Sequence, residues 1–471
     1  MGDGRERRED GGSSIRKRIR QILMFECGSS FEDRENIAVS CAVASILVGG
    51  RLLHRPSSLF YKKGDPTSKR ISDDARNRLS WEEARVISSD NFGVKFLFLS
   101  KKLGKNVVVK IPLFYTRHGR IDRVWSNKIL YYISVWKKLP PTGLVPPELR
   151  NLEQVFDYSD IRGLPPGISA GYPANYPAEI TNQSCGVGVT VSEHFNLGRS
   201  LGFMDRVAAR SALLANDNIY GLIRALWAVQ NPRQPSGINC PHLLIHGDID
   251  PNNLVVVWDG DDPIVKICNW DRVVAVHLNP KKKDPFICKL SELPGDRDKD
   301  IFGEGGGIGA VISPYTAPEI LRAGKEIDAR KIDMFSLAMV LFEMLALKGP
   351  WYEDPWVQQN FEGGIPPFKL MIITGTDGAD ERWMNEFIIP NLKEAVEAGL
   401  NPAIARIIEL CCNLDPKIRL APEEISTKSV EDAKSALGKV VKASNDINGK
   451  GPGAPGGGSG GPAPGGGHGG N

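Results

Sequence analysis

The stretch HGDIDPNNLVVVW, residues 246–258, decides how this chain is interpreted. It follows the apolar run PHLLI, residues 241–245, and ends in an apolar, β-branched run that is typical of a buried strand. Between the two runs, the Asp and Asn residues favour a turn because their side chains hydrogen-bond to nearby backbone. The pattern therefore predicts a strand, a polar turn and a second strand, with Asp248 and Asn253 inside the turn.

Length and composition indicate an ordinary globular protein with more than one compact unit. The chain has 471 residues, 41% of them hydrophobic and 24% charged, and a formal net charge of +3. Short basic runs at 16–20 and 281–283 are interpreted as solvated surface, because brief charge runs usually are. No nucleic-acid partner is inferred from them.

The cysteines and the longest apolar run indicate a location inside the cell. The eight cysteines show neither a CxxC pair nor zinc-ligand spacing, which favours reduced thiols. The apolar run at 38–50 is shorter than the roughly 20 residues that a membrane-spanning helix needs. We expect a cytoplasmic or nuclear protein that is not secreted and has no transmembrane segment.

Periodicity divides the chain into a mainly β part and a mainly helical part. Before residue 200, three apolar runs predict strands at 94–100, 106–114 and 187–195, and an amphipathic pattern predicts a helix at 120–139. After residue 200, a period of 3.6 residues predicts helices at 206–215, 218–230, 331–348 and 402–414.

Five segments in a fixed order resemble the eukaryotic protein-kinase superfamily, and a sixth resembles its closing segment. The sequence H-x-D-x-x-x-x-N alone is also found in small-molecule phosphotransferases, whereas the Y-x-A-P-E and D-x-x-S segments favour the protein-kinase branch. The segments are NVVVKI (106–111), HGDIDPNNL (246–254), VKICNWD (265–271), SPYTAPEIL (313–321), DMFSLAMVLFEML (333–345) and LDPKIRLAPEEI (414–425).

The resemblance implies an α+β, bilobal protein-kinase-like fold. A small β-rich N-lobe with one main helix precedes a larger, mainly helical C-lobe. We predict a partly disordered N-terminal extension at 1–80, the N-lobe at 81–195, the C-lobe at 196–438, and a disordered tail rich in Gly and Pro at 439–471.

The resemblance also implies ATP and Mg²⁺ as cofactors and gives roles to individual residues. Asp248 resembles the catalytic acid that accepts the proton of the acceptor hydroxyl, and Lys110 resembles the lysine that binds the ATP phosphates. Glu319 and Arg419 resemble a buried bidentate ion pair, and Asp333 resembles the carboxylate that anchors the turn around His246. The implied sets are catalytic (Asp248, Lys110, Asn253), nucleotide-binding (Gly93, Lys110, and the backbone of Glu193 and Phe195), metal-binding (Asn253, Asn269, Asp271) and structural (His246, Glu319, Asp333, Arg419).

Several positions depart from the family pattern, and each departure weakens the nucleotide chemistry. Ser88 and Asp90 stand where the glycine-rich loop has its first two glycines, so side chains crowd the approach of phosphate. No Glu stands in WSNKIL (125–130), where the acidic partner of Lys110 is expected. Asn269 replaces the metal-binding Asp and so removes one negative charge from the shell of the ion.

Three functions remain open at this point. The first is a protein kinase that moves the ATP γ-phosphate to a protein hydroxyl, with Ser or Thr favoured and the activity weakened. The second is a pseudokinase, a binding module that does not transfer phosphate. The third is a small-molecule phosphotransferase, which the HGD triplet favours and the A-P-E segment opposes. The protein substrate or binding partner is not defined by the sequence.

Overall fold

The computed structural model describes residues 79–90, 93–100, 104–112, 130, 133, 149–162, 186–195, 198–230, 242–270, 273–278, 284–289, 313–321 and 326–426. Four predictions lie outside the described residues: the extension at 1–80 apart from its last two residues, the apolar run at 38–50, the tail at 439–471, and the helix at 120–139 apart from Leu130 and Ile133.

A five-stranded antiparallel sheet forms the first part of the described chain, with strand order β1-β2-β3-β5-β4. The predicted strands are confirmed as β2, β3 and β5. Phe96 and Phe98 of β2 are register partners of Val109 and Val107 of β3, and all four side chains are fully buried. The strands are β1 (Leu79–Asp90), β2 (Gly93–Ser100), β3 (Lys105–Pro112), β4 (Val155–Arg162) and β5 (Gly186–Glu193).

Helices and short strands make up the rest of the described chain. The short strands are β6 (Arg199–Ser200), β7 (His242–Ile245), β8 (Leu254–Asp259), β9 (Asp262–Ile267), β10 (Val274–His277), β11 (Ile287–Lys289) and β12 (Glu326–Asp328). They form the sheets β6-β8-β9, β7-β10 and β11-β12. The helices are α1 (Arg206–Leu214), α2 (Asn218–Gln230), α3 (Arg330–Ala346), α4 (Pro355–Asn360), α5 (Lys369–Thr374), α6 (Ala379–Arg382), α7 (Ile389–Glu397), α8 (Pro402–Cys411) and α9 (Pro422–Ser426).

The four helices predicted after residue 200 are confirmed as α1, α2, α3 and α8, with ends that differ by at most a few residues. Together with the five-stranded sheet, they confirm the α+β fold class. No helix in the described part of the chain is long and apolar enough to cross a membrane.

Helix α3 lies at the centre of the helical part. All of its residues from Ile332 to Leu345 are buried, as expected for a helix that is apolar on every side. Phe342 packs edge-on against Phe387, with the ring centroids 5.3 Å apart. The helix therefore serves as the fixed support for the segments that contact it.

The segment around Glu319 is tied to the end of the helical part by Arg419. Arg419 Nη1 donates to Glu319 Oε1 at 2.6 Å, and the two side chains are 0% and 5% exposed. Two further guanidinium N–H groups donate to backbone, with Nε 2.7 Å from the Asn413 carbonyl and Nη2 3.2 Å from the Leu414 carbonyl. The pair is therefore buried, but it has one carboxylate contact where a bidentate pair was expected, because Nε and Nη2 donate to backbone carbonyls instead.

We expect Arg419→Ala to lower the free energy of unfolding by about 3 to 5 kcal/mol, because it leaves the Glu319 carboxylate buried without its cation. Urea titration measures this loss. Arg406→Ala is the control, since Arg406 and its partner Glu409 are 25% and 26% exposed and such pairs contribute about 1 kcal/mol or less. Equal losses in the two variants would contradict the prediction.

Candidate active site

The polar turn after β7 is anchored by one buried carboxylate. Asp333, in the first turn of α3, accepts hydrogen bonds from the N–H of His246 at 2.7 Å and of Gly247 at 3.0 Å. Gly247 has a φ of +74°, which glycine adopts without strain. Burial raises the pKa of Asp333 to about 6, against the opposing effect of these donors. The carboxylate is therefore largely ionised at neutral pH and can accept both hydrogen bonds.

His246 joins this turn to the segment that follows β9. Its Nδ1 accepts a hydrogen bond from the Asp248 N–H at 3.2 Å, so its Nε2–H donates to the Cys268 carbonyl at 2.9 Å. The ring packs edge-on against Trp270, with centroids 4.6 Å apart. One imidazole tautomer thus holds Asp248 and the segment at 268–270 in a fixed relation.

Asp248 and Asn253 meet inside the turn, as their spacing predicted. Asn253 Nδ2 donates to the Asp248 carbonyl at 2.7 Å and to Asp248 Oδ2 at 3.1 Å, and each residue is 7% exposed. The Asp250 carboxylate accepts hydrogen bonds from the N–H groups of Asn252 and Asn253, which closes the turn. The result is a nearly buried carboxylate with a fixed orientation.

Asn269 extends this arrangement toward the five-stranded sheet. Its Nδ2 donates to Asn253 Oδ1 at 2.9 Å, and its Oδ1 accepts a hydrogen bond from Lys95 Nζ of β2 at 2.6 Å. Asn269 has a φ of +64°, a conformation that Asn tolerates better than most residues. Sequence reasoning gave Lys95 no role, because its place in the site depends on strand register.

Lys110 has an acidic partner that sequence reasoning missed. Lys110 Nζ lies 3.1 Å from Oε1 and 3.2 Å from Oε2 of Glu153, with the two side chains 14% and 5% exposed. The same carboxylate accepts a hydrogen bond from the Asn269 N–H at 3.0 Å. Glu153 precedes β4 and lies outside the helix in which the partner was sought. It therefore links β3 to the segment that carries Asn269.

Backbone pairing and one buried amide hold Glu153 in place. Its N–H donates to the Ile267 carbonyl at 2.9 Å, and the Ile267 N–H donates to the Asn151 carbonyl at 2.9 Å. Asn151 Nδ2 donates to the Val265 carbonyl at 2.7 Å and to Asn218 Oδ1 at 3.0 Å. No local sequence signal marks Glu153, because its position depends on β9 and α2, which come later in the chain.

The predicted nucleotide-binding residues lie in and beside the sheet. Gly93 begins β2 and is the register partner of Asp90, so the predicted phosphate loop lies at the β1–β2 hairpin. The Glu193 N–H donates to the Gln154 carbonyl, and the Phe195 carbonyl accepts from the Gly198 N–H. Neither bond uses the carbonyl of Glu193 or the N–H of Phe195, so a role for these two groups in binding adenine stays a prediction.

The Glu193 side chain has a role that was not predicted. It accepts hydrogen bonds from Lys266 Nζ at 2.8 and 3.0 Å and from the Gln154 N–H at 2.7 Å. Lys266, on β9, is 6% exposed. This second lysine–carboxylate pair fastens the end of β5 to β9.

Comparison with known proteins agrees with this arrangement. A family model described as "Protein kinase domain" matches residues 240–430. The MAP kinase kinase kinase mkh1 of Schizosaccharomyces pombe is 27% identical over 135 residues, which are 28% of this chain and 10% of that protein. Residues 240–430 therefore match a protein-kinase domain, which supports membership of the protein-kinase superfamily and agrees with the predicted bilobal, α+β kinase-like fold. Such a domain supports the function of a protein-kinase-like phosphotransferase.

Protein kinases generally use ATP and Mg²⁺. The described residues allow the predicted Mg²⁺ ligands to be tested. Asn253 Oδ1 accepts from the Asn269 amide and Asn269 Oδ1 accepts from the Lys95 ammonium, so both predicted amide ligands face hydrogen-bond donors. A divalent ion at this point meets the ammonium charge of Lys95 and two amide oxygens that each already accept a hydrogen bond. Asp271, the third predicted ligand, lies outside the described residues. Among the described side chains, the arrangement does not fit Mg²⁺.

We expect a double-mutant cycle on Lys110→Met and Glu153→Gln to give a coupling free energy of about 0.5 to 3 kcal/mol. Each single change removes one charge of a largely buried pair, whereas the double change leaves no unpaired charge. The measurement is urea unfolding of the four proteins. A cycle of Lys110→Met with Glu409→Gln, in the surface pair on α8, is the control and should give no coupling beyond error. Additive effects of Lys110→Met and Glu153→Gln would show that the ion pair does not form in solution.

Proposed function

We propose that the chain is a protein-kinase-like phosphotransferase that binds ATP and moves its γ-phosphate to a protein hydroxyl with weakened activity. The observation that carries the proposal is the nearly buried Asp248 carboxylate, held by Asn253 and by the turn that Asp333 anchors. A fixed carboxylate at the mouth of a nucleotide site is what is needed to orient an acceptor hydroxyl.

In this proposal, two residues act directly on the reactants. Lys110, positioned by Glu153, binds phosphate oxygens of ATP and offsets their charge. Asp248 accepts a hydrogen bond from the acceptor hydroxyl and then its proton. The acceptor oxygen forms a bond to the γ-phosphorus while the bond from that phosphorus to the bridging oxygen breaks. The electron pair of the broken bond stays with ADP.

One feature supports weakened rather than ordinary activity. Asn269 contributes a neutral amide at a position where the family has a carboxylate, which lowers the negative charge available to hold a metal ion.

A protein acceptor is supported by the segment that contains the A-P-E motif. Tyr315 donates to Glu343 Oε2 at 2.9 Å, and the same oxygen accepts from the Trp351 N–H at 3.1 Å. Burial, followed by the nearby Glu343 carboxylate, raises the pKa of Tyr315, so the phenol stays protonated and keeps donating. A segment fixed in this way offers a rigid support for an extended peptide. The name MAP kinase kinase kinase, borne by the fission-yeast relative, supports a Ser or Thr acceptor.

The second candidate is a pseudokinase that keeps the fold as a binding module. The contact between Lys95 and Asn269 favours it, because an ammonium group stands beside a predicted metal ligand. A small-molecule phosphotransferase is the weakest candidate, because the Y-x-A-P-E segment at 315–319 favours the protein-kinase branch.

A reducing location is part of the proposal. The cysteines in the described part of the chain, which are Cys268, Cys288, Cys411 and Cys412, are all buried. Buried thiols support a cytoplasmic or nuclear protein, where disulfides are rare.

We expect Asp248→Asn to reduce phosphate transfer from labelled ATP to a mixed protein substrate by about 100- to 10,000-fold. The amide keeps the shape of the side chain but cannot accept the proton. Asp261→Asn is the control, because it makes the same change at an exposed residue of the β8–β9 turn and should leave transfer unchanged. If the parent and Asp248→Asn proteins incorporate equal amounts of labelled phosphate into the substrate, the signal does not depend on Asp248. That outcome would contradict the proposed transfer and favour the pseudokinase.

A further inference from the structure

Helix α5 and the turn before it expose three large apolar side chains. Ile365, Phe368 and Met371 are 60%, 37% and 43% exposed. They are three residues apart in one continuous helical stretch, since the 3₁₀ turn Pro366–Phe368 leads directly into α5. Residues three apart are neighbours on the surface of a helix. The three side chains therefore form one apolar ridge.

The inner side of α5 is packed against the helical part of the protein. Leu370 and Ile373 are fully buried, and the helix contacts the 3₁₀ turn Pro318–Leu321 at the end of the A-P-E segment. A surface helix usually buries one apolar side and directs polar side chains to water. The apolar ridge is a second apolar side, and a contiguous exposed patch of this kind marks an interaction surface.

Exposed carboxylates lie at both ends of the apolar ridge and on the neighbouring helix. Glu362 precedes the ridge by three residues, Asp377 follows the end of α5, and Glu381 lies on α6, which contacts α5. All three are exposed, and none of them forms an ion pair with any residue that the structure describes. We call these three residues the acidic rim.

The cations that are nearest along the chain are bonded elsewhere. Lys369 is the only Lys or Arg from the first rim residue to the last. It is 3% exposed, and its Nζ donates to the Phe361 carbonyl at 2.5 Å. Arg382, the next cation, donates to the Asn360 side chain and lies 4.0 Å from Glu386. The surface is therefore apolar at its centre and acidic at its edge, on a chain whose formal net charge is +3.

We propose that the apolar ridge and the acidic rim form a docking surface for a partner protein, and that the docked segment carries apolar side chains flanked by Lys or Arg. An apolar centre with a charged rim is the usual anatomy of a protein interface. Opposite charges at the rim speed the encounter and orient the partner. The proposal goes beyond the proposed function and does not require phosphate transfer.

The acidic rim favours this occupant over two others. A second copy of the chain that docked through the same surface would bring two acidic rims together, because a two-fold interface uses the same patch on both copies. A membrane that is rich in anionic lipid would be repelled by the same carboxylates. A basic segment meets neither penalty.

The test is the binding of short fluorescein-labelled peptides to the full chain without nucleotide, measured by fluorescence anisotropy. In the Leu/Lys peptide, Leu recurs every three or four residues and Lys fills the other positions. Two control peptides carry Glu in place of Lys or Ala in place of Leu. The Leu/Lys peptide should bind at least about tenfold more tightly than either control. Its affinity should fall as the salt concentration rises, because salt screens exposed charges.

The ridge variant combines Phe368→Ser with Met371→Ser. It should weaken binding of the Leu/Lys peptide by about tenfold, because truncation removes the central apolar anchors. The matched control combines Phe203→Ser with Val207→Ser, at residues that are 82% and 79% exposed and lie outside the ridge. The control should change the dissociation constant by less than about twofold.

The rim variant changes each carboxylate of the acidic rim to its amide: Glu362→Gln, Asp377→Asn and Glu381→Gln. It should weaken binding of the Leu/Lys peptide by about threefold to tenfold and reduce its dependence on salt. The matched control removes the same charge at three exposed carboxylates elsewhere: Asp261→Asn, Glu394→Gln and Glu397→Gln. This control should bind the peptide as the parent does.

Weaker binding by both the ridge variant and the rim variant supports the proposal. A parent that does not bind the Leu/Lys peptide overturns it, and so does equal binding by the parent and either variant. Self-association that is lost in the ridge variant, measured by sedimentation, overturns it in favour of a second copy. Ridge-dependent binding to phosphatidylserine vesicles overturns it in favour of a membrane.

Circular dichroism verifies that each variant is folded. If the ridge variant loses its fold, the rim variant still decides, because all of its changes are at exposed residues. None of these measurements uses ATP, so their outcomes are independent of whether the chain transfers phosphate.

Discussion

The geometry of the site depends on the buried Asp333 carboxylate, which accepts hydrogen bonds from two backbone N–H groups. Burial disfavours the charge, which is why its pKa is raised, and only donors that are held in place offset that cost. His246 and Gly247 provide these donors, and the positive φ of Gly247 allows both N–H groups to reach one carboxylate. Helix α3 is buried along almost its whole length, so Asp333 ties the turn that carries Asp248 to the buried core.

A second constraint fixes the sheet to this turn. Glu153 accepts from Lys110 on one side and from the Asn269 N–H on the other, so one carboxylate sets the position of two site residues. Its own place is fixed by pairing with Ile267 and by the buried amide of Asn151. A lysine brought into a largely buried position needs such a partner, because an unpaired ammonium group is costly to remove from water.

The helices and strands could be predicted where the pattern of apolar residues is local. The site could be predicted only in part. Helix α3 and strand β3 carry continuous apolar residues, so periodicity and composition located them. Strand β1 was missed because LSWEEARVISSD mixes polar and apolar residues, and its pairing with β2 is interrupted by two register shifts. Asp248 and Asn253 meet through a spacing of five residues, which the sequence displays. Glu153 and Lys95 act through pairings with distant strands, and no spacing along the chain reveals them.

These distant pairings change how the amide at Asn269 is understood. Viewed alone, it is a carboxylate position that lacks its charge, and the expected consequence is a weaker metal site. Viewed with Lys95, it is an acceptor already occupied by a cation of the protein, at a hydrogen-bond distance of 2.6 Å. A full negative charge at that position would form an ion pair with Lys95, whereas the neutral amide accepts only its hydrogen bond. The Asn269 amide and the Lys95 ammonium are therefore best understood as a single hydrogen-bonded unit.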